Sequence, residues 1–114
     1  MKIYLAGPYS HKDPLIREQR FKMLNKYAAH LMRQGHIVYS PISMSHPIAV
    51  DNDLPLEFEF WEKQDTAFIE WCDIVHVLMV NGYKESKGVQ REVFIAQTAM
   101  KQVYFIEVKD YENN

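Results

Sequence analysis

Two acidic residues draw attention through their surroundings. Glu92 closes the stretch Asn-Gly-Tyr-Lys-Glu-Ser-Lys-Gly-Val-Gln-Arg-Glu, residues 81–92. Ser86 is a good N-cap type, because its hydroxyl can accept from an orphan N–H of a first helical turn. Gly88 lets a ligand come close to the backbone. Free N–H groups at a helix start favour an anion such as phosphate, and Ser86, Lys87 and Gly88 are the residues that would meet it. Glu92 then lies about one and a half turns in, and its side chain leans back toward that start. A carboxylate beside an anion site costs repulsion, which suggests a purpose; a solvated Glu on a helix surface is the plain alternative. Asp65 sits in the series Phe58, Trp61, Asp65, Phe68, Cys72, spaced three, four, three and four. An unpaired charge in an apolar helical stripe is costly, so Asp65 needs a partner, a pocket or a rim position. One carboxylate as base or nucleophile and a second as acid are what acid–base and covalent catalysis use.

These residues need elements to position them. The apolar, β-branched run at 74–80, the glycine-bearing loop, and Val89, Val93, Ala96 and Met100 at spacings of four, three and four predict strand, loop and a helix over 87–100. Residues 3–6 predict a buried strand that ends in the turn Gly7-Pro8-Tyr9-Ser10. A turn at the carboxyl edge of a parallel sheet is where open α/β proteins bind ligands. A helix follows from about Pro14, with Phe21, Leu24, Ala28 and Leu31 on its buried stripe and Gly35 just past its end. Lys12, Arg17 and Arg20 lie at its start; such charges are usually solvated, but around the Gly7–Ser10 turn they would hold a phosphate. Residues 36–41 predict the second strand. Residues 42–56, with Ser45, His46, Pro47 and Asp51, predict a long irregular stretch, a lid or specificity loop over the same edge. A second helix is predicted over 56–72 and a last strand over 102–106. Asp73 reads as a structural residue that orients the turn into the third strand. His76 reads as a satisfied core or interface histidine. The polar tail at 109–114 reads as frayed or docked on a neighbour.

The alternation β-α-β-loop-α-β-α-β implies a flavodoxin-like or Rossmann-like three-layer α/β sandwich, with a parallel sheet of four to five strands. The 114 residues predict one domain, 1–114. A net charge of −2 gives no electrostatic case for nucleic acid or membrane as partner. One cysteine, Cys72, excludes an internal disulfide and fits a reducing compartment. No signal peptide or membrane span is expected, so the expected compartment is the cytoplasm. Dinucleotide and Walker A fingerprints are absent. The five histidines show no metal-like spacing, and no metal or cofactor is expected. A Ser45–His46–Asp51 triad lacks a nucleophile elbow. Seven Tyr, six Phe and two Trp in so short a chain predict a homodimer or higher homo-oligomer. Phe60, Ile69 and Trp71 lie off the main stripe of the second helix, which suggests a second apolar face there.

Several patches together resemble the nucleoside 2-deoxyribosyltransferase superfamily. They are Leu-Ala-Gly-Pro-Tyr at residues 5–9, an Asp in the helix before Cys-Asp-Ile-Val, and Ser-x-Gly-Val-x-x-Glu at residues 86–92. The chain is most similar to a small phage and bacterial branch related to 2′-deoxynucleoside 5′-phosphate N-hydrolases. The resemblance implies a flavodoxin-like fold and cleavage of the N-glycosidic bond of a deoxynucleoside or its monophosphate. It implies Glu92 as the catalytic carboxylate, Asp65 near base or sugar, Tyr9 as the aromatic after the first strand, and Ser86 on the 5′-phosphate. In transferases a neighbouring subunit completes the site with an Asn or Ser near the C-terminus; Asn113 and Asn114 are the residues available. The first loop is poorer in glycine than in the hydrolase branch.

The residues suit that chemistry. A carboxylate can trap an oxocarbenium-like C1′ as an ester, and a second acid can protonate the leaving base. Tyr9 is expected to hydrogen-bond Glu92 and fix its rotamer. Tyr39, Phe58 and Trp61 are candidates to sandwich the base. The substrate-binding set is then Gly7, Pro8, Ser10, Arg17, His46, Trp61, Ser86, Lys87 and Gly88. The expected partner is a nucleoside or nucleoside monophosphate. The rivals are a non-catalytic nucleotide-binding or sensing domain, and a partner-binding module with no ligand.

Overall fold

The computed structural model describes residues 1–108. The tail at 109–114, with Asn113 and Asn114, lies outside them. In chain order the elements are β1 (Lys2–Ala6), α1 (Pro14–Arg33), β2 (Ile37–Tyr39), α2 (Pro41–Asn52), α3 (Phe58–Trp71), β3 (Ile74–Leu78), α4 (Lys87–Thr98) and β4 (Gln102–Ile106). Among the described residues the strands form one parallel sheet in the order β2-β1-β3-β4. This is the predicted three-layer α/β sandwich, at the lower strand number. No helix among the described residues is long and apolar enough to cross a membrane.

The layers follow from the two-residue period of β1. Ile3 and Leu5 face one side and pack with Leu24, Ala28 and Leu31 of α1. Tyr4 and Ala6 face the other and pack with Ile69 of α3 and with Val89 and Ala96 of α4. A strand covered on both faces reads as a continuous apolar run, which is how residues 3–6 read. His76 points to the α1 side, where its Nδ1 lies 2.7 Å from the Tyr27 hydroxyl. Asp73 serves the backbone: its carboxylate accepts from the Lys2 N–H at 2.8 Å, and its own N–H donates to the Lys2 carbonyl at 2.7 Å.

The chain leaves β1 for a neighbour on one side of the sheet and β3 for a neighbour on the other. A crevice therefore opens beyond the carboxyl ends of β1 and β3, the switch point of such sheets. Arg20 of α1 holds the two rim loops together. It donates to the Ser10 carbonyl of the first loop at 3.0 Å and to the Asn81 carbonyl of the third at 3.1 Å.

Five expectations are corrected. Residues 42–56 are not an irregular lid, because α2 occupies Pro41–Asn52. Pro47 is a poor residue for a helix interior, but Pro41 suits a first turn. Ile42, His46 and Ala49 give the helix an inward face, and left-handed Asp53 (φ 54°) ends it. In α3 the row turned to the sheet is Asp65 and Ile69, followed by Cys72, rather than Phe58, Trp61 and Phe68. Ile69 is fully buried, and Trp71 packs against the same core, so of the supposed second apolar face only Phe60 is exposed. The predicted strand over 74–80 stops at Leu78, and the helix over 87–100 at Thr98.

Gly7 has a packing role. A Cβ there would meet Leu24 Cδ2 at 2.6 Å, and Leu24 is fully enclosed in the core. Gly7→Ala should lower stability by ~1–3 kcal/mol through overpacking, measured by urea denaturation. An unchanged midpoint would mean that α1 can shift away from β1.

Candidate active site

The crevice holds a cavity of about 370 Å³. Its floor carries the two carboxyls, Asp65 from α3 and Glu92 from α4. Both are buried. Tyr4 reaches Glu92 from the central strand and donates its hydroxyl to Oε2. The expected partner, Tyr9, lies elsewhere: its hydroxyl bonds His46 Nδ1. The reason is positional, since Tyr4 is on the sheet face that carries α4, whereas Tyr9 sits in the loop beside α2. For Asp65, among the described residues no hydrogen bond or ion pair engages the carboxyl. Of the choices open to it, it takes the pocket.

Burial pushes Glu92 up to about 8; the Tyr4 hydrogen bond opposes this and the Asp65 charge adds to it. Burial also pushes Asp65 up to about 7. Burial, with the charges of Glu92 and Asp65 next, holds the Tyr4 phenol well above its usual range. Two carboxyls that repel in one cavity keep a proton between them near neutrality. The cavity therefore offers one acid and one carboxylate at the same time.

The start of α4 forms one wall. Ser86 is the N-cap, and its Oγ accepts from the Val89 N–H at 3.2 Å. Ser86, Lys87 and Gly88 line the cavity. The nearest neighbour of a Cβ on Gly88 would be the Phe58 side chain, in ordinary contact at 3.6 Å. Protein packing therefore does not require glycine there, and the open space faces the cavity. Glu57, Glu59 and Glu85 also line it, so the positive helix end is flanked by negative charge.

The remaining predicted residues divide. Gly7, Tyr9, Ser10 and Trp61 line the cavity; Pro8, Arg17 and His46 do not. Ser10 Oγ donates to the Leu56 carbonyl at 3.2 Å, and Trp61 Nε1 donates to the Pro55 carbonyl at 2.9 Å, so both also brace the rim. Pro8 is enclosed. Arg17 donates to the His11 carbonyl, and Arg20 is occupied by loop carbonyls. His46 acts on the cavity only through Tyr9. Of the aromatic candidates, Phe58 joins Trp61 at the cavity, while Tyr39 stacks on Phe68 with ring centroids 3.7 Å apart. No group of His, Cys, Asp and Glu suited to a metal ion occurs among the described residues.

Sequence reasoning missed Tyr4 and Glu18. Tyr4 carried a signal, since a phenol in a strand buried on both faces must find a partner. Glu18, whose Oε2 lies 2.9 Å from His46 Nε2, carried none, being 28 residues away in sequence.

Raised carboxyl pKa values mean that the folded chain keeps protons which the unfolded chain has lost. Stability is then greatest below the ordinary values of 3.8 and 4.5 and falls as pH rises through about 7 and 8. The melting temperature should drop between pH 5 and 9, by the equivalent of on the order of a few kcal/mol. Glu92→Gln and Asp65→Asn should each flatten that slope. A slope unchanged in both variants would show that neither carboxyl is perturbed.

The geometry has known counterparts. Residues 1–108 match a family model described as "Domain of unknown function (DUF1937)". A search of curated proteins returned no match. Among solved structures, a 2-deoxyribosyltransferase from the psychrotolerant bacterium Bacillus psychrosaccharolyticus is similar at 27% identity, with a TM-score of 0.64 over 94% of this chain and 72% of that one. The Clostridium botulinum CMP N-glycosidase BcmB is similar in fold at 15% identity, with a TM-score of 0.61 over 99% of this chain and 82% of that one. The likeness to the 2-deoxyribosyltransferase bears out the resemblance read from the sequence, and the second structure shares the fold.

Proposed function

From the premise that the chain belongs to the DUF1937 family, we propose that it is a cytoplasmic enzyme that cleaves the N-glycosidic bond of a (deoxy)nucleoside or its 5′-monophosphate as one domain, releasing or transferring the base. The observation that carries this reading is Glu92, buried in the cavity floor, hydrogen-bonded by Tyr4 and sharing the space with Asp65. The neighbours' activities support the bond type, since one is a 2-deoxyribosyltransferase and the other a CMP N-glycosidase.

The roles follow from the chemistry. As the C1′–N bond stretches, positive charge grows at C1′ above Glu92. That charge favours the ionised form of Glu92, to which the Tyr4 hydroxyl donates, and the shared proton then resides on Asp65. Asp65 protonates the departing base, and Glu92 bonds C1′ as an ester, which water or an incoming base then cleaves. Phe58 and Trp61 flank the base. The N-terminus of α4, with Ser86, Lys87 and Gly88, is the place for a 5′-phosphate.

Incubation with a panel of nucleosides and monophosphates, with free base read by chromatography, tests the reading. Glu92→Gln should keep the fold and lower base release by at least ~10². Asp65→Asn should cut turnover without loss of stability. Full activity in Glu92→Gln would retire the mechanism. Substrate that binds and is never cleaved would favour a non-catalytic nucleotide sensor.

The reading includes a homodimer or higher oligomer. Phe60 on α3, Phe94 on α4 and Tyr104 and Phe105 on the edge strand β4 are each about half exposed. Sedimentation velocity at micromolar concentration should return more than the 13.5 kDa of one chain. A monomer would remove the oligomer from the proposal.

A further inference from the structure

A chain of hydrogen bonds leads from solvent to the cavity through residues of two helices and the first loop. Its outer end is Glu18 on α1, whose side chain is 45% exposed. Glu18 Oε2 lies 2.9 Å from His46 Nε2 on α2. His46 is buried, and Phe21 lies over its ring with centroids 4.4 Å apart. Its Nδ1 bonds the hydroxyl of Tyr9, whose ring meets the imidazole edge-on at 5.3 Å. Tyr9 lines the cavity.

The chemistry of these groups sets the direction of each bond. A carboxylate only accepts, so Nε2 of His46 carries the proton it shares with Glu18. In the neutral imidazole Nδ1 is then a lone pair, and Tyr9 must be its donor. The phenol oxygen keeps acceptor capacity for the cavity. Burial holds the Tyr9 phenol above its usual range; Arg17 beside it opposes this, and the charge of Glu18 adds to it. A carboxylate–imidazole pair behind a hydroxyl is an arrangement that moves a proton off that hydroxyl without forming a free anion.

We propose that Tyr9 is the general base for the acceptor water, with His46 taking up the Tyr9 proton at Nδ1 and Glu18 as the positioning residue that holds the imidazole. This rests on the glycosidic reading of Glu92. In the second half of the reaction a water O–H breaks and its proton goes to the Tyr9 oxygen. The Tyr9 proton passes to His46 Nδ1. The water oxygen bonds C1′, and the bond from C1′ to Glu92 breaks with its electron pair returning to the carboxylate. Glu18 balances the imidazolium by accepting from Nε2–H, and once the sugar has left, Nδ1 returns the proton through Tyr9 to the emptied cavity, which restores the Nε2–H tautomer. Glu92 and Asp65 serve the departing base, and the relay serves the incoming acceptor.

The test uses Glu18→Gln and Tyr9→Phe, with the half-exposed Glu18 site giving a variant that folds. Rapid-quench assays with a cleaved nucleoside should show a burst of about one base per protein followed by a steady state slowed by roughly 10². Intact-mass spectra should show the glycosyl adduct accumulating, and Glu18→Asp should restore part of the steady rate. Burst and steady state slowed equally, or no change in either variant, would overturn the relay. Nitrogen-15 spectra of histidine ring nitrogens give a readout independent of turnover, with wild-type His46 expected as the Nε2–H tautomer and Glu18→Gln as a mixture. An Nδ1–H tautomer in active wild type would overturn the relay. A wild type with the Nε2–H tautomer that cleaves no nucleoside would refute the glycosidic reading and leave the hydrogen-bond chain standing.

Discussion

The bond between the Tyr4 hydroxyl and the Glu92 carboxyl joins the middle of the sheet to the helix that carries the candidate chemistry. Both partners are nearly sealed from solvent, Tyr4 at 0% and Glu92 at 4% exposure. Burying a carboxyl without a partner is costly, so Glu92 tolerates its place only because β1 sits centrally and delivers a phenol there. The central position of β1 depends on helices covering both faces, with α1 on one side and α3 and α4 on the other. Fold and site are therefore held by the same contact.

Charge in the cavity pulls in two directions. The helix end at Ser86–Gly88 and Lys87 attract an anion. Glu57, Glu59 and Glu85 around the mouth, with the floor carboxyls, repel one. Arg20, which could have tipped the balance, has its guanidinium turned to loop carbonyls. The loops are thereby stiffened, and the balance between neutral and phosphorylated ligands falls to the first turn of α4.

Much of this was legible in the sequence. The parallel alternation, the start of α1 at Pro14, β4, and the strand–loop–helix around Ser86 read directly from period and turn residues. Ser86, Gly88, Asp65 and Glu92 meet at one cavity. What stayed hidden was long-range or conflicted locally. Pro47 masked α2. The apolar row of α3 could be drawn two ways, and only packing against the sheet selects Ile69 over Phe68. Tyr4 outcompeted Tyr9 for Glu92 because strand parity, not nearness in sequence, decides which phenol faces α4. The Glu18–His46 pair depends on how α1 and α2 pack, which no local pattern encodes.

The place of β1 bears on the order of synthesis. Its partner β3 lies 71 residues later, where the Lys2 N–H meets the Asp73 carboxylate. On the ribosome β1 emerges long before that partner exists. Ile3 and Leu5 can be covered early by α1, but the face with Tyr4 and Ala6 stays bare until α3 and α4 have left the tunnel. The nascent chain thus carries a half-dressed strand for most of its translation. That period is when it is most prone to pair with the wrong edge and most in need of a chaperone's cover.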